Sequence, residues 1–212
     1  MTEKIDLYFQ QNQKEVDAYL PDDIWYELKG EDLVRAPKTG QVKLADRATG
    51  PPPIHFRGGS ILPFMDMDKD VSNTDVVRKH KFYLTVIPNK MITATGDLFW
   101  DDGESINTIE SGKYNYYTFE LHPNCSLEIN VIKSGYDMSS EPQILNSIGI
   151  VGTVDEDIEA SIDGKALDKK SISYFDSFGT ALWVEINLQS KKAGDKWVIN
   201  WKSTKTNTCN IK

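Results

Sequence analysis

Apolar and polar residues alternate in short runs along most of this chain, and clusters of Gly, Pro, Asn and Asp separate the runs. Such a pattern predicts strands buried on one face. Leu127, Ile129 and Val131 fall opposite Glu128 and Asn130, and Val42 and Leu44 share a face in the stretch from Gln41 to Leu44. Phe82 to Ile87 is apolar enough for a buried strand and is stopped by Pro88-Asn89. Further strands are expected over Lys14–Leu20, Ile24–Leu28, Tyr114–Leu121, Ile144–Val151, Ile158–Ile162, Ile172–Phe175, Leu182–Leu188 and Lys196–Trp201.

The punctuation between these runs carries its own expectations. Pro21-Asp22-Asp23 predicts a hairpin between the first two strands, His122-Pro123-Asn124 a second hairpin, and Asp163-Gly164 a tight turn. Thr49-Gly50-Pro51-Pro52-Pro53 reads as a rigid connector, and Asp66 to Asn73 as a polar loop. In Ile54 to Pro63, two apolar arms flank Gly58-Gly59, a pair suited to a sharp turn or a close strand approach. No segment holds a sustained apolar stripe of helical period. The expected fold is therefore all-β, as antiparallel β-sandwiches. At 212 residues the chain can form two domains, placed at residues 1–88 and 89–212.

Composition narrows the function classes. With 24 basic and 32 acidic side chains the net charge is −8, which argues against nucleic acid and anionic membranes as partners. No apolar run approaches the ~20 residues needed to cross a bilayer, and no signal-peptide core follows Met1-Thr2-Glu3-Lys4. The compartment is left unassigned. His55, His80 and His122 share no ligand spacing, so neither a metal nor another cofactor is expected. Asp66, Asp68 and Asp70 alternate as in a calcium loop, but Val71 and Val77 stand where that loop needs glycine and glutamate. Cys125 and Cys209 make no disulfide framework, and their pairing is left open. Asn124-Cys125-Ser126 is a formal glycosylation sequon.

The richest chemistry lies in Gly96 to Ser105, where an apolar-aromatic run enters an acidic turn containing Asp101, Asp102 and Glu104. A retaining glycosidase needs two carboxyl groups about 5–5.5 Å apart, one with a raised pKa. Carboxylates at a turn tip are solvated, and turn stabilisation is the expected role of these three. Arg57-Gly58-Gly59-Ser60 could form an anion nest, although its apolar flanks favour close strand packing. Arg57 is expected to pair with an acidic neighbour. Trp25, Trp100, Trp183, Trp197 and Trp201 all fall in strand patterns, where core packing is commoner than stacking on sugars.

Val16 to Asp23 with Trp25-Tyr26, then Ile54 to Pro63, then Gly96 to Ser105, resemble three motifs of the C-terminal region of family 31 glycoside hydrolases. The likeness is to the maltase-glucoamylase, sucrase-isomaltase and lysosomal α-glucosidase group. Ile148 to Gly152 and Trp197 to Trp201 fit as well. The resemblance implies two sandwiches, called proximal and distal, that follow a (β/α)₈ catalytic barrel. In the family the aspartate nucleophile and the aspartate acid belong to that barrel, so no catalytic residue carries over to this sequence. The implied role is structural, with the barrel as partner, in an enzyme that hydrolyses terminal α-glucosidic bonds with retention. The alternative is a stand-alone module binding α-glucan or a protein. Members of the family are commonly lysosomal, extracellular or in the secretory pathway.

Overall fold

A computed structural model describes residues 15–29, 32–36, 38–45, 53–65, 73–138, 144–152, 157–177, 181–192, 196–206 and 209. In chain order the first seven strands are β1 (Glu15–Leu20), β2 (Trp25–Lys29), β3 (Asp32–Arg35), β4 (Gly40–Ala45), β5 (His55–Arg57), β6 (Ser60–Met65) and β7 (Phe82–Ile87). They are followed by β8 (Ala94–Trp100), β9 (Asn115–His122), β10 (Ser126–Ser134), β11 (Ile144–Val151) and β12 (Ile158–Ile162). The last four are β13 (Lys165–Ala166), β14 (Ile172–Ser177), β15 (Ala181–Lys192) and β16 (Trp197–Ser203). Two four-residue helices, α1 (Thr74–Val77) and α2 (Thr108–Ser111), decorate the loops around β7 and β8. The fold is all-β, as the alternation predicts.

Among the described residues three sheets form, ordered β1-β4, β3-β2-β5 and β13-β12-β16-β10-β9-β8-β6-β7-β11-β15-β14. The eleven-stranded sheet has a narrow waist, because β6 and β8 meet at the single pair Ser60 and Thr95. Its two wings enclose one apolar cluster. Tyr117, Phe119, Leu121, Leu127, Ile129, Trp197 and Ile199 come from one wing, and Ile61, Leu84, Val86, Ile148 and Ile150 from the other. Leu84, Val86, Ile148 and Ile150 are fully buried, and each such side chain stabilises the fold by about 1.5–3 kcal/mol. Glycine is required at the waist. A Cβ on Gly96 would run into the carbonyl oxygen of Ile61, so only a bare Cα lets β8 pass so close to β6.

Alternation along the shared strands builds a third layer. Ile61 faces the large cluster, whereas its neighbour Leu62 packs with Tyr26, Leu33, Ile87 and Val151 under the β3-β2-β5 sheet. Likewise Val86 and Ile150 point one way, and Ile87 and Val151 the other. β7 is thus buried on both faces, which explains why it reads as a nearly continuous apolar run rather than an alternating one. The division expected near residue 88 falls at the end of this two-faced strand. Two pairings among the described residues depart from the antiparallel pattern, the first being the parallel contact of β6 with β8 at the waist. β11 runs parallel to β7, reached through the long excursion of β8, β9 and β10.

Local expectations held at two turns. β9 and β10 pair antiparallel across the turn at residues 122–125, and Ile162 opposite Lys165 closes the Asp163-Gly164 turn with both central residues at positive φ. The hairpin expected at Pro21-Asp22-Asp23 does not form. β1 pairs with β4, while β2 sits between β3 and β5. The Asp23 carboxylate accepts from the Ile24 amide at 2.8 Å, and the Trp25 indole donates to the Pro21 carbonyl at 2.9 Å. These bonds make the segment a corner that sends the chain into a different sheet. Gly58-Gly59 does the same between β5 and β6, whose partners are β2 and β7.

Candidate functional site

The acidic turn after β8 is assembled from its own side chains. Asp101 accepts from the Gly103 amide at 2.9 Å through Oδ1 and from the Thr108 hydroxyl at 2.8 Å through Oδ2. Asp102 Oδ1 accepts from the amides of Glu104 at 3.1 Å and Ser105 at 2.9 Å, and its Oδ2 accepts from the Ser105 hydroxyl. Gly103, directly after the two aspartates, takes a positive φ of 75°. From the other side, Arg78 donates to the Asp101 carbonyl and lies 4.4 Å from the centre of the Trp100 ring. Every carboxylate oxygen of Asp101 and Asp102 therefore has a donor from the turn itself.

The Ser105 hydroxyl, with the amides of Ser105 and Glu104, lowers the Asp102 pKa from 3.8 to about 2. This is the opposite of what a general acid requires, since that group must hold its proton near neutral pH. A depressed carboxylate contributes stability that is present above its unfolded pKa and lost as pH falls through the folded one. Asp102→Asn should therefore flatten the loss of stability between about pH 4 and pH 2, lying below wild type at pH 7 and converging on it at the acid end. Thermal melts of both chains across that range check this. A parallel acid profile for the two would contradict it.

The second motif is equally occupied by structure. Arg57 pairs with Asp23 at 3.1 Å, as expected of an acidic neighbour, and Lys90 pairs with Asp22 at 2.6 Å. The Gly58 amide donates to the Ile24 carbonyl at 2.8 Å and the Gly59 amide to the Ile87 carbonyl at 2.7 Å, so neither is available to an anion. A Cβ at Gly58 would approach the Pro88 carbonyl oxygen to 2.8 Å, which fits the close-packing reading.

Trp197 and Trp201 are buried in the large cluster, Trp100 lies under Arg78, and Trp25 is half-buried with its indole bonded to Pro21. Trp197 and Trp201 therefore present no ring face to solvent as a sugar platform would. The Trp183 side chain and Asp66, Asp68 and Asp70 lie outside the described residues. His122 sits between Glu120 at 4.0 Å and Glu128 at 3.5 Å. Among the described residues no group of three or more potential ligands could hold a metal.

Cys125 and Cys209 are joined by a disulfide, with Cα atoms 5.4 Å apart. This settles the pairing that the sequence leaves open. Sequence reasoning also passed over Asn115, which is buried. Its carboxamide accepts from the Gly135 and Tyr136 amides at 3.0 and 3.1 Å and donates to the Tyr136 carbonyl at 3.1 Å, tying the end of β10 to the start of β9. A lone Asn in a strand pattern gives no signal of such a role. Large apolar side chains left exposed among the described residues include Tyr19, Ile54, Met91, Phe99, Ile106, Ile109 and Ile132, mostly after residue 88.

Fold and side-chain chemistry thus define an all-β protein whose most acidic motif is a structural turn. The family model "Glycosyl hydrolase family 31 C-terminal domain" matches residues 7–62. Human intestinal sucrase-isomaltase is 33% identical over 151 residues, which cover 69% of this chain and 8% of that protein. A probable alpha/beta-glucosidase of Aspergillus clavatus is 31% identical over 160 residues, or 74% of this chain and 17% of that one. Among solved structures, an ER glucosidase II complex of catalytic subunit and regulatory-subunit binding domain matches with a TM-score of 0.71. Its sequence identity is 20%, over 91% of this chain and 22% of that one. The chain is related in sequence and fold to the C-terminal region of family 31 glycoside hydrolases of the α-glucosidase group. It spans 8% and 17% of the length of the two curated relatives.

Proposed function

We propose that this chain is the non-catalytic C-terminal β-sandwich portion of an α-glucosidase-like family 31 glycoside hydrolase. Its role is to pack against and stabilise a (β/α)₈ barrel that hydrolyses terminal α-glucosidic bonds with retention. Residues 1–88 would form the proximal unit and 89–212 the distal one, joined through the strands that serve both apolar layers. The observation that carries this reading is the acidic turn. The motif that ties the chain to an enzyme family has its Asp101 and Asp102 carboxylates engaged by Gly103, Thr108, Glu104 and Ser105. The pKa shift of Asp102 supports it, being downward.

Titration calorimetry with maltooligosaccharides separates this scaffold role from that of a stand-alone glucan-binding module. The expected result is no heat and no rise in melting temperature. Saturable heat would favour the binding module instead.

A further inference from the structure

We propose that Asn124 is an N-glycosylation site, modified while the chain is still unfolded, before Cys125 closes onto Cys209. This inference stands apart from the scaffold role. It joins two features: the only Asn-X-Ser/Thr sequence in the chain, and a disulfide whose first cysteine is the middle residue of that sequence. A disulfide persists in oxidising compartments, and those are where sequons are used. The bridge thus supplies the compartment that the sequon needs.

The turn geometry suits a bulky sugar on Asn124 and nowhere else in the triplet. Asn124 is exposed at the β9–β10 turn next to exposed Pro123, and among the described residues its carboxamide makes no hydrogen bond. Cys125 is fully buried in left-handed backbone at φ 57°, and Ser126 is only 7% exposed. Ser126 is fixed in the ladder between His122 and Asn200, and the Cys125 carbonyl accepts from the Trp201 amide at 3.1 Å. The serine hydroxyl that completes the acceptor motif is therefore sealed once β16 is in place. The asparagine stays outside. Since Cys209 lies 84 positions after Cys125, the motif is synthesised before the second cysteine exists.

The co-reactant is a lipid-diphosphate-linked oligosaccharide, acted on by a membrane-bound oligosaccharyl transferase. The Asn124 amide nitrogen forms a bond to the sugar C1 and loses a proton to a base of the transferase. The bond from C1 to the phosphate oxygen breaks, and the lipid diphosphate leaves with its electron pair. Disulfide closure follows as a separate step, in which two thiols give two protons and two electrons to a disulfide-type protein oxidant.

The test is to export the full chain behind a cleavable leader from a eukaryotic cell and to measure its mass before and after a glycan-releasing amidase. Blocking of free thiols confirms in the same sample that the bridge has formed. The expected result is a single glycan increment, absent in Asn124→Gln, which only moves an exposed, unbonded carboxamide out by one methylene and should fold. In a second arm, purified bridged chain and reduced, denatured chain are each offered to the transferase with its lipid-linked donor. The denatured chain should be modified and the bridged chain refused. An exported, bridged wild-type chain with no increment would overturn the site, as would an increment that survives Asn124→Gln. Equal modification of bridged and denatured chains would overturn the proposed order.

Discussion

Cys209→Ser should lower the free energy of unfolding by roughly 4–5 kcal/mol, the chain-entropy value for a loop of this size. The bridge closes 84 positions of sequence, from the β9–β10 turn to a residue beyond the last strand. Both ends are well placed to use the constraint. Cys125 is fully buried within the large cluster, and Cys209 packs against its edge. Without the bond, β16 is held by its ladders to β10 and β12 and by the burial of Trp197, Ile199 and Trp201. Urea unfolding of wild type and variant, each with and without reductant, measures the effect. Reductant should bring the wild type to the midpoint of the variant and leave the variant unmoved. Equal midpoints for oxidised wild type and Cys209→Ser would show that the bridge does not stabilise the fold.

Gly96→Ala should be as damaging, through a different cause. The new methyl would occupy the space of the Ile61 carbonyl oxygen, a backbone atom that cannot swing aside as a side chain can. Overpacking of a core costs about 1–3 kcal/mol when side chains give way, and more when backbone must move. Here the strands affected, β6 and β8, form the waist between the two wings of the large sheet. The variant should therefore accumulate as insoluble protein or melt far below wild type. Gly164→Ala is the informative partner. It keeps a positive φ of 78° but has open space around it, so it should lose only the left-handed penalty of about 1–2 kcal/mol. Melting curves for the two variants side by side test this, and a Gly96→Ala protein no less stable than Gly164→Ala would refute the close approach at the waist.

Local features of the fold were legible because local physics decides them. The period-two pattern of Leu127, Ile129 and Val131 reports burial on one face, and Asp163-Gly164 reports a turn needing positive φ twice. Pairing across sequence distance was not legible. Nothing in Glu15 to Leu20 says that its partner is Gly40 to Ala45 rather than the strand that follows it, because the Pro21-Asp22-Asp23 corner can be built from the same residues as a hairpin. The parallel partnership of β7 and β11 is equally hidden, since it depends on where three intervening strands deliver the chain.

The candidate site divides along the same line. Asp101, Asp102 and Gly103 form an acidic turn by contacts within a few residues, so their structural role could be read directly. Arg78 reaches that turn from α1's end, 23 positions away, and the disulfide spans 84, so both needed the folded chain to be seen. Arg57 shows the intermediate case. Its charge predicted an acidic partner, but only the corner geometry selects Asp23.

The most direct test of the scaffold role is hydrolysis of a chromogenic α-glucoside by the purified chain with its disulfide formed. Release of the chromophore should not exceed that of buffer at any chain concentration, because retaining hydrolysis needs a nucleophile and an acid facing one sugar. Turnover proportional to chain concentration, and lost when the chain is unfolded, would contradict the proposal and place a catalytic carboxyl pair within these 212 residues.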